Sequence, residues 1–246
     1  MKGRIGKFLW SAYDHLGSLI AVNLLWSVLS LPWMAMAYML FIAGRAAGER
    51  GAFIAAFLGV EVVLFAPPTA LLFSAARIWA EQREIGWRAL FAESWRFVGR
   101  SQAISLLLAS TTLTLLVNIY FYQQLGGWAG LLLGAIMIWF LVVLMLIAVY
   151  VFPVLISQDG PVWHTLRQSF LLAIDNIKLS FGLLLTVFAT LGVGAISGIG
   201  LFCGAGAALA LFLSIYFREL LPKYTGEALP TEPHRRWREV LRPWEA

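Results

Sequence analysis

A single carboxylate, Glu61, interrupts the otherwise apolar run "GVEVVLFAPPTALLFSAAR" from Gly59 to Arg77. An ionisable group in hydrocarbon is costly, so a carboxyl placed there is a candidate site for a cation, a proton or a sugar hydroxyl. Thr111, Thr112, Thr114 and Asn118, spaced along another apolar run, could complete such a site with hydroxyls and an amide. The structural alternative is that the threonines bond their own helix backbone and the amide ties neighbouring helices together. Depth separates the two readings. Counting inward from Gly51 at about 1.5 Å per residue puts Glu61 roughly 15 Å deep, near the midplane of a bilayer. Counting outward from Arg77 along a span of about 20 residues leaves it only about 5 Å inside, within reach of headgroups, water, Arg45 or Arg50.

Little else in the chain has the pattern of a reactive centre. His15, His164 and His234 are far apart, Cys203 is the only cysteine, and H-E-x-x-H, G-x-S-x-G and P-loop patterns are absent. These absences argue against an enzyme, a metal site or a bound cofactor, and leave a lipid-modifying activity without a motif to support it. The Gly194-x-x-x-Gly198 and Gly200-x-x-x-Gly204 spacings suit close helix packing better than nucleotide binding, since no strand precedes them.

The elements that carry these residues follow from composition. Of 246 residues, 61% are hydrophobic and 13% charged, against about 25% charged in soluble domains. The expected class is all-α: a polytopic membrane protein with six transmembrane helices and two cytoplasmic amphipathic helices. The expected spans are about 16–43, 51–76, 101–122, 128–156, 179–197 and 201–217. The last two divide an uncharged run, Leu179 to Phe217, which as one helix would measure about 58 Å, nearly twice the hydrocarbon thickness. The glycine cluster around Gly198 and Gly200 is the expected turn. Ala35-Met36-Ala37 has the look of a signal-peptidase site, but no charge falls between Leu16 and Gly44, so the segment reads as a first span. Pro32, Pro67-Pro68 and Pro153 should break or kink the spans that hold them.

Net charge is +5, and the basic residues flank the apolar runs instead of forming one patch, which disfavours nucleic acid as a partner. With the first residues inside, the inner segments hold every Lys and Arg except Arg45 and Arg50. A plasma (inner) membrane protein with both termini cytoplasmic is the expectation. Two inner connections, Trp87–Val98 and Trp163–Ile177, place apolar residues at helical spacing. Aligning Trp87 with Trp163 also matches Leu90 with Leu166, which suggests a parallel duplication. Residues 1–221 form the transmembrane domain and 222–246 a basic cytoplasmic tail. Trp87, Trp95 and Trp163, with Arg235, Arg236, Trp237 and Arg238 of the tail, are candidate lipid or partner contacts.

Several stretches bring a family to mind by their pattern: "VNLLWSVLSLPW" (Val22–Trp33), Pro67-Pro68, "WRALFAESWRFVGRSQA", "VYVFPVL", "HTLRQSFLLAIDN" and "LSIYFREL". Over roughly Phe8 to Leu221 the chain resembles the YesL-like family of bacterial integral membrane proteins, which carry a domain of unknown function. It departs from that pattern by about 33 extra residues, Trp33 to Phe65, which include Glu61, so the resemblance assigns Glu61 no role. The insertion favours the shallow count, because extra residues can lift the first hairpin. The resemblance implies a non-enzymatic accessory component linked to carbohydrate uptake. Its partners would be the lipid bilayer and another transport component or a second copy of the chain. The alternative is a small solute transporter or channel with a polar site around Glu61 and Asn118.

Overall fold

Every regular element among the described residues is helical, a form that satisfies backbone amides internally where water is absent. The computed structural model describes residues 2–83, 86–197 and 204–226. In chain order the helices are α1 (Lys2–Asp14), α2 (Leu16–Leu29), α3 (Leu31–Ala46), α4 (Glu49–Leu64), α5 (Thr69–Ala80) and α6 (Trp87–Trp95). They continue with α7 (Val98–Leu125), α8 (Gly127–Gln158), α9 (Val162–Asp175), α10 (Ile177–Ser197) and α11 (Gly206–Thr225).

Three helices, α7, α8 and α10, are long and apolar enough to cross a membrane, and the number rises to five if each of two bent pairs is one crossing. The pairs are α2 with α3, bent by 55°, and α4 with α5, bent by 49°. The expected spans over 16–43 and 51–76 are each divided at the proline expected to break or kink them. Pro32 occupies the first turn of α3, where a missing N–H is tolerated, and α2 closes at Ser30. At Pro67-Pro68 the chain crosses the gap in tight turns, with Ala66 N bonded to Val63 O and Thr69 N to Ala66 O. Pro153 behaves differently and stays inside α8 without ending it. The remaining expected span corresponds to α11, which carries Arg218, Glu219 and Lys223 in its second half. The expected turn at Gly198 and Gly200 lies outside the described residues.

Two bodies emerge from the packing. The inner one sets α5 against α11, α8 and α2, and α7 and α9 against α8. Its core holds Tyr150, Phe217, Ile78 and Leu155, all fully buried. Phe152, beside Pro153, stacks between Phe73 at 5.2 Å and Phe65 at 5.9 Å, joining α8 to α5 and to the break before it. The second body is the hairpin of α3 and α4. It turns at Gly48, whose φ of +95° suits glycine alone. Its two helices nearly touch: a Cβ at Gly44 would lie 2.4 Å from Ala55 Cβ and 2.5 Å from Gly51 O. That is small-residue packing, which lets helix backbones approach in lipid. The hairpin reaches the rest of the molecule through α4 against α7, and α3 buries no residue at all.

A basic end is formed by the last turns of α5, α8 and α11 together with α1, α6 and α9. Both amphipathic segments are helical, as α6 and α9. An additional amphipathic helix, α1, packs on α11 through Phe8 against Phe212 at 5.4 Å and Lys7 to Glu219 at 3.3 Å.

Candidate functional site

The expected intramembrane set divides on α7. Thr112 Oγ1 donates to Glu61 Oε1 at 2.9 Å, joining the hairpin to the bundle. The other three bond their own helix: Thr111 to Leu107 O at 2.8 Å, Thr114 to Ser110 O at 2.9 Å and Asn118 Nδ2 to Thr114 O at 2.8 Å. One carboxyl and one hydroxyl therefore meet, and the second carboxyl oxygen, Oε2, is buried without a partner. Thr112 stands at the middle of the 28-residue α7. Arg45 and Arg50 are engaged elsewhere, over the rings of Phe41 at 6.0 Å and Tyr120 at 5.6 Å.

A second polar cluster lies inside the bundle, where sequence reasoning placed none. Asn23 of α2 is fully buried, and its Oδ1 accepts the N–H of Ala207 at 3.0 Å. It thus caps the first turn of α11, whose amides lack helical partners. Close approach there requires glycine, because a Cβ at Gly206 would lie 2.9 Å from Asn23 Oδ1. One turn on, Trp26 Nε1 donates to Thr69 Oγ1 at 3.0 Å across the start of α5. Ser27 Oγ bonds Asn23 O at 3.0 Å. The beginnings of α5 and α11 thus meet the second half of α2, about 12–18 Å from the basic end by helical rise. Broken helices that meet at mid-depth build the binding sites of many transporters. Here the bonds named above run between protein groups, so the junction acts as a joint. The signal was present in the sequence: Asn23 in "AVNLLW" is an amide in an apolar run, just as Asn118 is.

At the basic end, arginines expected only to mark orientation hold helix ends together. Arg77 donates to Ile156 O at 2.7 Å in the last turn of α8, and to Glu81 Oε1 at 2.9 Å. Burial pushes the Glu81 carboxyl up, but the bonds and charges of Arg77 and Arg83 outweigh it and leave it below its ordinary value. Arg100 and Arg96 grip the two oxygens of Asp159 at 2.6 and 2.7 Å, and Arg100 also donates to Gly160 O at 3.0 Å. The Arg100 bond, with the charges of Arg96 and Arg77, holds the Asp159 carboxyl below its usual value. A matching latch joins α11 to α9: Lys223 reaches Asp175 at 2.5 Å, and the Tyr224 hydroxyl also donates to Asp175. These bonds lower the Asp175 carboxyl and raise the Lys223 ammonium.

The aromatic candidates separate by face. On α6, Leu90 turns inward while Trp95 is 74% exposed and Trp87 half exposed. On α9 the inward face mixes Leu172 with the smaller Thr165, Ser169 and Ala173, all buried, whereas Trp163 is 76% exposed and Phe170 and Ile174 also face outward. Arg235, Arg236, Trp237 and Arg238 lie outside the described residues. Among the described residues no three His, Cys, Asp or Glu side chains gather as metal ligands. No family model matches the chain, and no curated protein and no solved structure matches it.

Proposed function

We propose that the chain is a non-enzymatic accessory component of a bacterial inner membrane, with six crossings and both termini cytoplasmic. In this reading it binds another membrane transport component through its basic, cytoplasmic face. The observation that carries it is the orientation of α9. An amphipathic helix folded only for its own stability would bury Trp163, Phe170 and Ile174, yet this one buries Leu172 with the small Thr165, Ser169 and Ala173 and presents those three large side chains outward. The latches at Asp159 and Asp175 fix that face rigidly, which suits docking. The sixth crossing rests on α11 returning the uncharged run begun by α10, and the orientation rests on the distribution of Lys and Arg. Carbohydrate uptake as the context is supported by the YesL-like resemblance.

A photo-crosslinking residue at Trp163 or Trp95, in native membranes, tests this. A single stoichiometric protein adduct is expected there, with none from Leu185 on the exposed side of α10. Adducts with lipid alone at all three positions would overturn the accessory role.

One observation favours a second reading, a small solute transporter: the buried, unpartnered Oε2 of Glu61 beside Thr112. That reading requires water at mid-depth. Thr112→Cys, in a Cys203→Ser background, should then react with a hydrophilic thiol reagent, and a Cys that stays unlabelled in intact membranes removes the transporter.

A further inference from the structure

A cleft of about 730 Å³ opens at the basic end, between the junction of α1 with α2, the end of α5 and the start of α6. Its size falls in the range of small-molecule sites, about 300–1,000 Å³. Its walls are graded. Asp14, His15, Gln82 and Arg83 form the rim, whereas Val22 and Ala75 line it one to two helical turns further along α2 and α5. The rim therefore lies where the two membrane segments end, and the inner wall lies in the apolar zone. Trp79 and Trp87 also line it, the first stacked with the His15 ring at 5.6 Å and 16°. Tryptophan favours the boundary between hydrocarbon and water. Polar rim, apolar wall and boundary position together select an amphiphile over a soluble metabolite.

The charges narrow the headgroup. Arg83 and Asp14 put a guanidinium and a carboxylate in one rim. A purely anionic headgroup would face the carboxylate, and a purely cationic one the guanidinium. A phosphodiester that also carries an ammonium meets both with opposite charge. Arg83 spends one nitrogen on Glu81, at 3.1 Å, and a guanidinium has five N–H donors. A carboxylate likewise accepts several bonds at once, so existing partners of Asp14 leave it able to accept an ammonium. We infer that the cleft binds the headgroup of a zwitterionic aminophospholipid, with phosphate at Arg83, ammonium at Asp14 and the first methylenes against Trp79 and Trp87. The inference is independent of the accessory role and holds for either orientation of the chain, because it depends on the membrane boundary alone.

Native mass spectrometry of the full chain in detergent, titrated with short-chain phosphatidylethanolamine, short-chain phosphatidylglycerol, glycerophosphoethanolamine and inorganic phosphate, tests it. One equivalent of phosphatidylethanolamine should bind, about tenfold more tightly than phosphatidylglycerol, as one additional charge-assisted bond implies. Arg83→Gln should weaken both lipids. Asp14→Asn should weaken phosphatidylethanolamine alone and bring the two lipids to equal affinity. Trp87→Ala, at a half-exposed position that the fold does not need, should weaken both lipids severalfold, and it carries the test should a charge variant fail to fold. Equal affinity of the wild-type chain for the two lipids overturns the zwitterion. Binding of phosphate or glycerophosphoethanolamine as tightly as the lipid overturns the amphiphile, and unchanged affinity in Trp87→Ala overturns the location.

Discussion

The joint inside the bundle and the hairpin beside it both set polar groups next to broken helices, and they resolve the problem in opposite ways. In the joint, the acceptor on Asn23 meets the donor on Ala207, and the indole of Trp26 meets Thr69. In the hairpin, Glu61 takes one bond from Thr112 and leaves its other oxygen bare. A polar group among apolar helices is therefore no index of function by itself. A polar group whose bonds are met locks helices in place, and one whose bonds are unmet is where a ligand or proton could act.

The largest effect should come from the joint. Asn23→Leu strands the Ala207 N–H at the start of α11 and should destabilise the chain by about 2–3 kcal/mol, the cost of an unmet buried donor in a packed site. A marked fall in the unfolding temperature in detergent would show it. A fall no larger than that from an exposed substitution such as Leu185→Ala would make the joint incidental. In the hairpin, Gly44→Leu should open α3 from α4, since the new side chain meets Ala55 and the backbone of Gly51, at about 1–3 kcal/mol of overpacking. The effect should stay local. A disulfide between cysteines at Ala37 and Gly59, which face each other across the hairpin, should form in the parent chain and be lost in Gly44→Leu, with the unfolding of the bundle unchanged.

How much of this was legible in the sequence differs between the two regions. The hairpin turn could be located, because Arg45 and Arg50 interrupt the apolar run between 43 and 51, and the helical class followed from composition. Breaks at Pro32 and at Pro67-Pro68 follow from a missing backbone donor, which is a local property. Pro153 shows the limit of that logic, since α8 continues through it with Val149 to Ile156 packed in the core. The joint was hidden because its partners are 184 residues apart in sequence, Asn23 with Ala207, and no periodicity reports such a pairing. The choice among Thr111, Thr112 and Thr114 was also hidden. All three share one helix, and which of them faces α4 depends on rotation about the α7 axis. The inverted face of α9 was legible as amphipathic, but its direction was not, because Thr165 and Ser169 pack inward only once α8 is in place.

Smaller effects sharpen the contrast. Trp26→Phe keeps the ring and removes the bond to Thr69, and should cost about 1 kcal/mol, less than Asn23→Leu because Thr69 can turn to its own backbone. At the basic end, Asp159 has a carboxyl held below its unfolded value, so its contribution is complete above that value, about pH 4, and is lost only as pH falls through the lower folded one. Protection of the Asp159 amide, which bonds Leu155 O, taken relative to its intrinsic exchange rate at each pH, should therefore stay constant from neutrality to about pH 5 and fall in stronger acid. In Asp159→Asn the exchange should already be fast at neutral pH. Acid-induced exchange that persists unchanged in that variant would assign the transition to another group.

The smallest effect is expected at the pair that first drew attention. Interhelical hydrogen bonds in membranes average about 0.6 kcal/mol in double-mutant cycles, and Thr112 can turn back to its own helix when Glu61 is lost, as Thr111 and Thr114 already do. A cycle of Glu61→Leu, Thr112→Val and the double variant should thus give a coupling near that average. Glu61→Gln, which keeps an acceptor for Thr112, should leave stability within about 0.5 kcal/mol of the parent. The comparison turns on this number. A coupling above about 2 kcal/mol would mean that Glu61 ties the hairpin to α7 as firmly as Asn23 ties α11 to α2. The bare oxygen would then be the tolerated by-product of a structural bond. A coupling near the average leaves the carboxyl without a structural reason to sit between α4 and α7, and solvent access at Thr112→Cys then decides whether it serves a passing solute.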